Sequence, residues 1–144
     1  MGKTKAVLII AAVLLIIPVI LVGVAAVVND SAAAALEKQL AEIPLPDGMT
    51  CAESFSAAGK IVGNGNGMQY LAVMLITGDV PLESLQNYYT QYNCEVIIQK
   101  TSKIDSYHGD FGFDKFNPQS VNYRVEMWGK APSRFFAELD IRGH

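Results

Sequence analysis

The chain has 144 residues, a formal net charge of −3 and 51% hydrophobic residues. That length accommodates one small domain with an accessory segment, but not two full domains. The slightly negative charge argues against a nucleic-acid-binding protein, which needs a basic face. Plentiful aromatic and branched aliphatic residues argue against a disordered chain.

Residues 6–28 form an apolar run that is interrupted only by Pro18 and Gly23 and contains no ionisable residue. A helix of this length spans about 34 Å, enough to cross a hydrocarbon core of about 30 Å. Ionisable groups inside a membrane mark ion or proton pathways, so their absence argues against transport by this chain alone. We therefore predict a single transmembrane helix that anchors the protein in the lipid bilayer.

The charges that flank the run predict its orientation. Lys3 and Lys5 precede it and Asp30 follows it, so the positive-inside rule places residues 1–5 in the cytoplasm and the rest of the chain outside. We predict an uncleaved signal-anchor of the cell membrane. Cleavage near residues 24–26 is the alternative, although signal peptides have shorter apolar regions, of about 7–15 residues.

Residues 29–43 predict a stalk helix, because they are rich in alanine, leucine and glutamate. Residues 29–31 either cap a new helix or let the membrane helix run on. Prolines 44 and 46 follow and end the helix. Three apolar residues recur on one side and predict packing on the domain or on a partner. They are Leu36, Leu40 and Ile43.

Residues 44–144 are predicted to form one extracytoplasmic domain. Residues 51–62 indicate a first strand, and residues 68–77 are apolar on both alternating faces, which is typical of a central strand covered on both sides. Residues 78–81 then start a helix whose apolar residues recur at helical spacing and predict one face on the sheet. These residues are Leu82, Leu85, Tyr89 and Tyr92.

The rest of the domain is predicted to be mostly strand. Residues 94–100 indicate one strand, and residues 121–128 alternate apolar and polar side chains. The alternation resumes over residues 135–141 after a Gly- and Pro-containing turn, which predicts a hairpin. The fold class is therefore α+β: a transmembrane helix and a stalk helix, then an antiparallel sheet with one main packed helix.

The glycine–asparagine stretch GNGNG occupies residues 63–67. A glycine-rich loop binds phosphate when its N–H groups converge at a helix N-terminus, but here a strand follows and no Lys-Ser/Thr pair is present. A turn between two strands is favoured, since Asn and Gly tolerate positive φ. An exposed loop that contacts a partner through Asn64, Gly65 and Asn66 remains the functional alternative.

A second loop, DSYHGDFGFD at residues 105–114, carries acids, a histidine and aromatic rings. Its spacing matches neither an EF-hand nor a zinc signature, so solvated acids are favoured over a metal site. The rings predict either packing under a long loop or a surface for a ligand or partner. The possible contact residues are Tyr107, His108, Phe111 and Phe113.

Cys51 and Cys94 are the only cysteines, and the predicted topology places both outside the cell, where disulfides persist. Sequence leaves a structural disulfide and two independent thiols as open alternatives. No GxSxG, HExxH or CxxC motif is present and no base accompanies either thiol, so we expect no catalysis, no metal and no cofactor.

The chain contains three notable sequence segments: AGK–GNGNGMQ, LITGDVPLESLQNYY and the C-terminal LDIRGH. They resemble a family of bacterial single-pass membrane proteins whose function is not known. The resemblance covers residues 44–144 and implies a location in the membrane, but no catalytic or binding residue.

These observations predict a membrane-anchored extracytoplasmic interaction or accessory domain. Its partners would be the lipid bilayer, through residues 6–28, and a membrane or extracytoplasmic protein, with no nucleic acid. The alternative is an extracytoplasmic sensor domain that binds a small molecule or a cation through the loop at residues 105–114.

Overall fold

The computed structural model describes residues 2–63, 67–106 and 111–144. One long helix leads into an α+β domain with a four-stranded antiparallel sheet. The helices are α1 (Lys3–Ala41), α2 (Leu82–Thr90) and α3 (Arg134–Leu139), and a 3-10 turn covers Ile141–Gly143. The strands are β1 (Met49–Gly59), β2 (Gln69–Gly78), β3 (Cys94–Ile98), β4 (Lys103–Ile104), β5 (Phe111–Gly112) and β6 (Asn122–Gly129).

Helix α1 covers the predicted membrane span and the predicted stalk as far as Ala41 in one unbroken helix of 39 residues. Among the described residues, its stretch Val7–Ala41 is the one helix that is long and apolar enough to cross a membrane. The most apolar 18-residue window has a mean hydropathy of 3.3, and none of it is buried. Of the two alternatives for residues 29–31, the helix that runs on is therefore the one observed.

The sheet has the order β1-β2-β6-β3, and every neighbouring pair is antiparallel. The central strand β2 is apolar on both faces because both faces are covered, as its sequence predicts. One face packs against the second half of α1 and against α2, whose Leu85 and Tyr89 are buried there. The other face is covered by part of the segment between β3 and β6, which supplies Ile104 and Phe113 to a second apolar cluster.

The predicted hairpin at the C-terminus is wrong. Residues 121–128 give β6 as expected, but residues 134–139 form helix α3 instead of a strand. Strand β6 already has β2 on one side and β3 on the other, so no free edge remains for a strand that follows it. The short alternation of apolar residues over 135–141 was compatible with either structure.

Candidate functional site at the junction of helix and domain

Asn29 lies on α1 just after the apolar run and is fully buried. Its side-chain amide Nδ2 donates to a carboxylate oxygen of Asp140 at 2.9 Å and to the backbone oxygen of Phe136 at 3.2 Å. Its Oδ1 accepts a hydrogen bond of 2.7 Å from the Tyr70 hydroxyl. This one side chain therefore joins α1 to β2 and to the C-terminal segment.

Arg142 joins the same C-terminal segment to α1 through charge. Its guanidinium makes a two-point contact with Asp140, at 2.9 Å from Nε and 2.7 Å from Nη2. Its Nη1 donates to Asp30 at 2.8 Å, and its Nη2 also donates to the backbone oxygen of Ala26 at 3.2 Å. Planar two-point pairs of this kind are the stronger and more directional ion pairs.

The electrostatics keep this arrangement ionised near neutral pH. The hydrogen bond from Arg142 is the largest influence on the pKa of Asp140 and, with the bond from Asn29, lowers it to about 2, although burial of the carboxyl opposes the change. Asp140 in turn raises the pKa of Arg142. We call Asn29, Asp30, Tyr70, Asp140 and Arg142 the junction cluster.

Two backbone hydrogen bonds bring the connection between β1 and β2 to the same place. The Lys60 N–H donates to the Arg142 oxygen at 2.7 Å, and the Gly67 N–H donates to the Gly143 oxygen at 2.6 Å. The AGK–GNGNGMQ and LDIRGH segments therefore meet beside α1. The groups of the junction cluster bond mainly to each other, so the arrangement fixes α1 to the domain.

Sequence reasoning missed the junction cluster, because its members lie up to 113 positions apart in the chain. One local signal was available. Ala25, Asn29 and Ala33 recur at a spacing of four on α1, and all three are buried. Two small residues around a polar one at helical spacing are typical of a helix that another element approaches closely.

Exposed large apolar side chains outside α1 fall at two ends of the described part of the domain. The junction end, beside Ala26–Asp30 of α1, carries Val62, Phe135 and Ile141. The far end, where β3 finishes and β6 begins, carries Ile97, Ile98 and Val121. Open depressions flank β3 and are lined in part by Gln86, Thr90, Glu95, Val96 and Trp128.

The loop residues proposed as partner contacts have three different outcomes. Asn64, Gly65, Asn66, Tyr107 and His108 lie outside the described residues. Phe113 is only 3% exposed, with its ring 5.3 Å from that of Phe55. Phe111 is half-buried against the same ring. Phe113 is therefore a core residue, unavailable to a partner, and Phe111 belongs largely to the same packing.

The disulfide alternative for Cys51 and Cys94 is not realised. Both cysteines are free thiols, one exposed and one buried. Cys51 lies on β1 and Cys94 on β3, the two outer strands of the sheet, so three strand spacings of about 4.8 Å separate those strands. A disulfide needs Cα atoms within about 7 Å. Burial raises the pKa of the Cys94 thiol to about 11, and burial also raises that of Cys51.

The described part of the second loop, at residues 105–114, contains no metal site. Asp105 and Asp114 are exposed, and His108 and Asp110 lie outside the described residues. Among residues 2–63, 67–106 and 111–144, no three His, Cys, Asp or Glu side chains are grouped closely enough to hold a metal ion.

Comparison of the chain with protein-family models, with curated proteins and with solved structures finds no match. The resemblance of its segments to single-pass membrane proteins therefore stays a prediction.

Proposed function

We propose that this protein is a single-pass membrane protein whose domain lies outside the cytoplasm and binds a protein partner, without catalysis. The observation that carries the proposal is the continuity of α1, which leaves the apolar span and enters the core of the domain without a break. The junction cluster bonds this helix to the domain directly after the span, so no linker separates the two. A short connection of this kind suits a protein that presents a surface close to the membrane.

The junction also supports an anchor that is retained. Cleavage after Ala26, the alternative from the sequence, would remove the buried Ala25 and the carbonyl of Ala26, which accepts a hydrogen bond from Arg142. The domain would lose part of its own packing. The lysines before the span and Asp30 after it favour a cytoplasmic N-terminus.

The far end offers the surface for the partner. Strand β3 is an outer strand of the sheet, and Ile98 at its end is 49% exposed, as Val121 is at the start of β6. Ile97 is exposed on the opposite face of the sheet. An outer strand with exposed apolar side chains is a template for another strand. On β3 the Val96 oxygen already accepts a hydrogen bond of 3.1 Å from Gln86 of α2, so we expect the contact at the Ile98 end. The other outer strand, β1, lies against α1, where Glu37 accepts hydrogen bonds from Ser54 and Ser56. We therefore expect the partner to add a strand or an apolar segment along β3.

Two experiments test the proposal. For anchoring, membranes from the native cell are extracted at alkaline pH, and the chain is expected in the membrane pellet at its full-length mass. Release into the supernatant, or a mass that lacks the first 26 residues, contradicts the anchor.

For the partner, a photo-crosslinking amino acid replaces Ile98 in the full-length chain within native membranes. Gln39, which is exposed on α1, is the matched control position. We expect one reproducible adduct from position 98, identified by mass spectrometry, and none from position 39. The absence of an adduct at position 98, or the same adducts at both positions, contradicts binding along β3.

A further inference from the structure

The junction end carries exposed apolar side chains that no part of the described domain covers. Ile141 is 72% exposed and Phe135 is 57% exposed, while Val62 is also exposed on the adjoining connection. The three residues come from different segments, which meet beside α1. Isolated exposed apolar residues are ordinary, but a group gathered at one end of a domain marks a contact surface.

The position of this group along α1 is fixed by hydrogen bonds. Phe136, the neighbour of Phe135, accepts from Asn29 through its backbone oxygen. Ile141 lies between Asp140 and Arg142, which are bonded to α1 at Ala26, Asn29 and Asp30. Both side chains are therefore held at the level of residues 26–30 of the helix.

That level coincides with the boundary of a bilayer. The first 20 residues of the apolar run, residues 6–25, rise about 30 Å, which equals the thickness of the hydrocarbon core, so residues 26–28 of the run reach into the headgroup layer. Ala25 is buried against the domain, and Asn29 lies about 6 Å beyond it along the helix axis. The headgroup layer on each side of the core is about 5–7 Å thick. The junction end consequently falls within this layer.

We propose that the junction end of the domain is seated in the lipid surface, with Phe135, Ile141 and Val62 inserted at the boundary between headgroups and acyl chains. The inference rests on the proposed anchoring, because α1 sets the level. The exposed apolar surface at this end contacts the same bilayer that α1 enters. Phenylalanine and aliphatic side chains are among those that bury shallowly at the boundary between headgroups and acyl chains.

The two arginines at the junction end are paired with acidic side chains, so contact with lipid does not require a particular headgroup charge. Arg142 is paired with Asp30 and Asp140, and Arg134 is paired with Glu138 at 2.7 Å. These basic side chains are thus neutralised within the protein. We therefore expect apolar insertion, and not attraction to anionic lipids, to hold the domain on the membrane.

The test measures the depth of single tryptophans in the full-length chain, reconstituted at a low protein-to-lipid ratio into phosphatidylcholine vesicles. The native Trp128 is first replaced by Phe, and Phe135→Trp or Ile141→Trp then reports on the junction end. Val121→Trp reports on the exposed far end, and Leu14→Trp reports on the span. Each variant is quenched by phosphatidylcholine brominated on its acyl chains and, separately, by acrylamide in water.

We expect Phe135→Trp and Ile141→Trp to be quenched by the brominated lipid, with acrylamide quenching several-fold weaker than for Val121→Trp. If both variants are quenched as Val121→Trp is, while Leu14→Trp is quenched by the brominated lipid, insertion of the junction end is refuted and the membrane anchor stands. If Leu14→Trp also escapes the lipid quencher, the anchor and the inference that rests on it both fail. The same result in vesicles that contain phosphatidylglycerol is expected, because both arginines at this end are paired within the protein.

Discussion

Replacement of Asn29 by alanine is expected to loosen the domain from its helix. Asn29→Ala removes three hydrogen bonds at a fully buried position. The Asp140 carboxylate keeps its hydrogen bonds from Arg142, so losing the bond from Asn29 costs it little. The Tyr70 hydroxyl loses its acceptor, to which it donates at 2.7 Å. A buried polar group left without a partner costs about 1–3 kcal/mol.

The net effect on stability follows from these terms. The lost bonds together cost roughly 3 kcal/mol, and the better helix propensity of alanine returns about 0.5 kcal/mol. We expect the free energy of unfolding to fall by about 2–3 kcal/mol. For a domain of this size, that corresponds to a melting temperature lower by about 10 °C.

The assay is thermal unfolding of the full-length chain in detergent micelles, followed by near-ultraviolet circular dichroism. Asn87→Ala is the matched control, because Asn87 is exposed on α2 and its replacement gives the same propensity gain without loss of buried bonds. We expect the control to melt within about 2 °C of the unchanged chain.

A double-mutant cycle with Tyr70→Phe separates the shared hydrogen bond from the other contacts of Asn29. Since both single changes remove the same bond, their combined effect should fall short of the sum by about 1 kcal/mol. Strict additivity, or an Asn29→Ala variant that melts with the Asn87→Ala control, would refute the role given to the junction cluster.

Two further predictions concern the titratable groups. Because Arg142 holds the pKa of Asp140 at about 2, below the ordinary 3.8, the ionised carboxylate stabilises the fold by about 2 kcal/mol above pH 4, and this contribution is lost as the pH falls towards 2. In urea titrations, the stability difference between the unchanged chain and Asp140→Asn should narrow by that amount between about pH 6 and pH 2; a constant difference contradicts the pairing. For the cysteines, we expect a thiol reagent to modify Cys51 in the native chain and Cys94 only after unfolding. A chain that has no reactive thiol when it is unfolded without reductant would instead contain a disulfide.

The α+β fold class was predicted correctly because its main elements carry local patterns. Strand β2 has apolar residues on both alternating faces, and α2 repeats its apolar residues at helical spacing. Leu36 and Leu40 were also placed correctly on one side of a helix that packs on the domain, and Ile43 packs in the same core although it lies just after the end of α1. In each case, a few neighbouring residues hold all the information that the element needs.

The features that escaped prediction depend on contacts between distant segments. The helix α3 replaces a predicted strand because β3 and β2 occupy both edges of β6, which only the assembled sheet reveals. The separation of Cys51 from Cys94 follows from the same strand order. The junction cluster depends on Asn29 meeting Asp140, and hydrogen bonding between residues 111 positions apart has no local sequence pattern.

The position of the two exposed groups constrains the partner that we propose. Strand β6 runs from the far end to the junction end, and its eight residues extend about 26 Å. Residues 29–43, predicted as a stalk helix that packs on the domain or on a partner, pack into the junction and the core, so no flexible tether adjusts that distance. A partner that binds beside Ile98 must therefore present its own strand or apolar segment up to about 26 Å from the seated end. This distance favours a protein with a folded extracytoplasmic part over one confined to the bilayer.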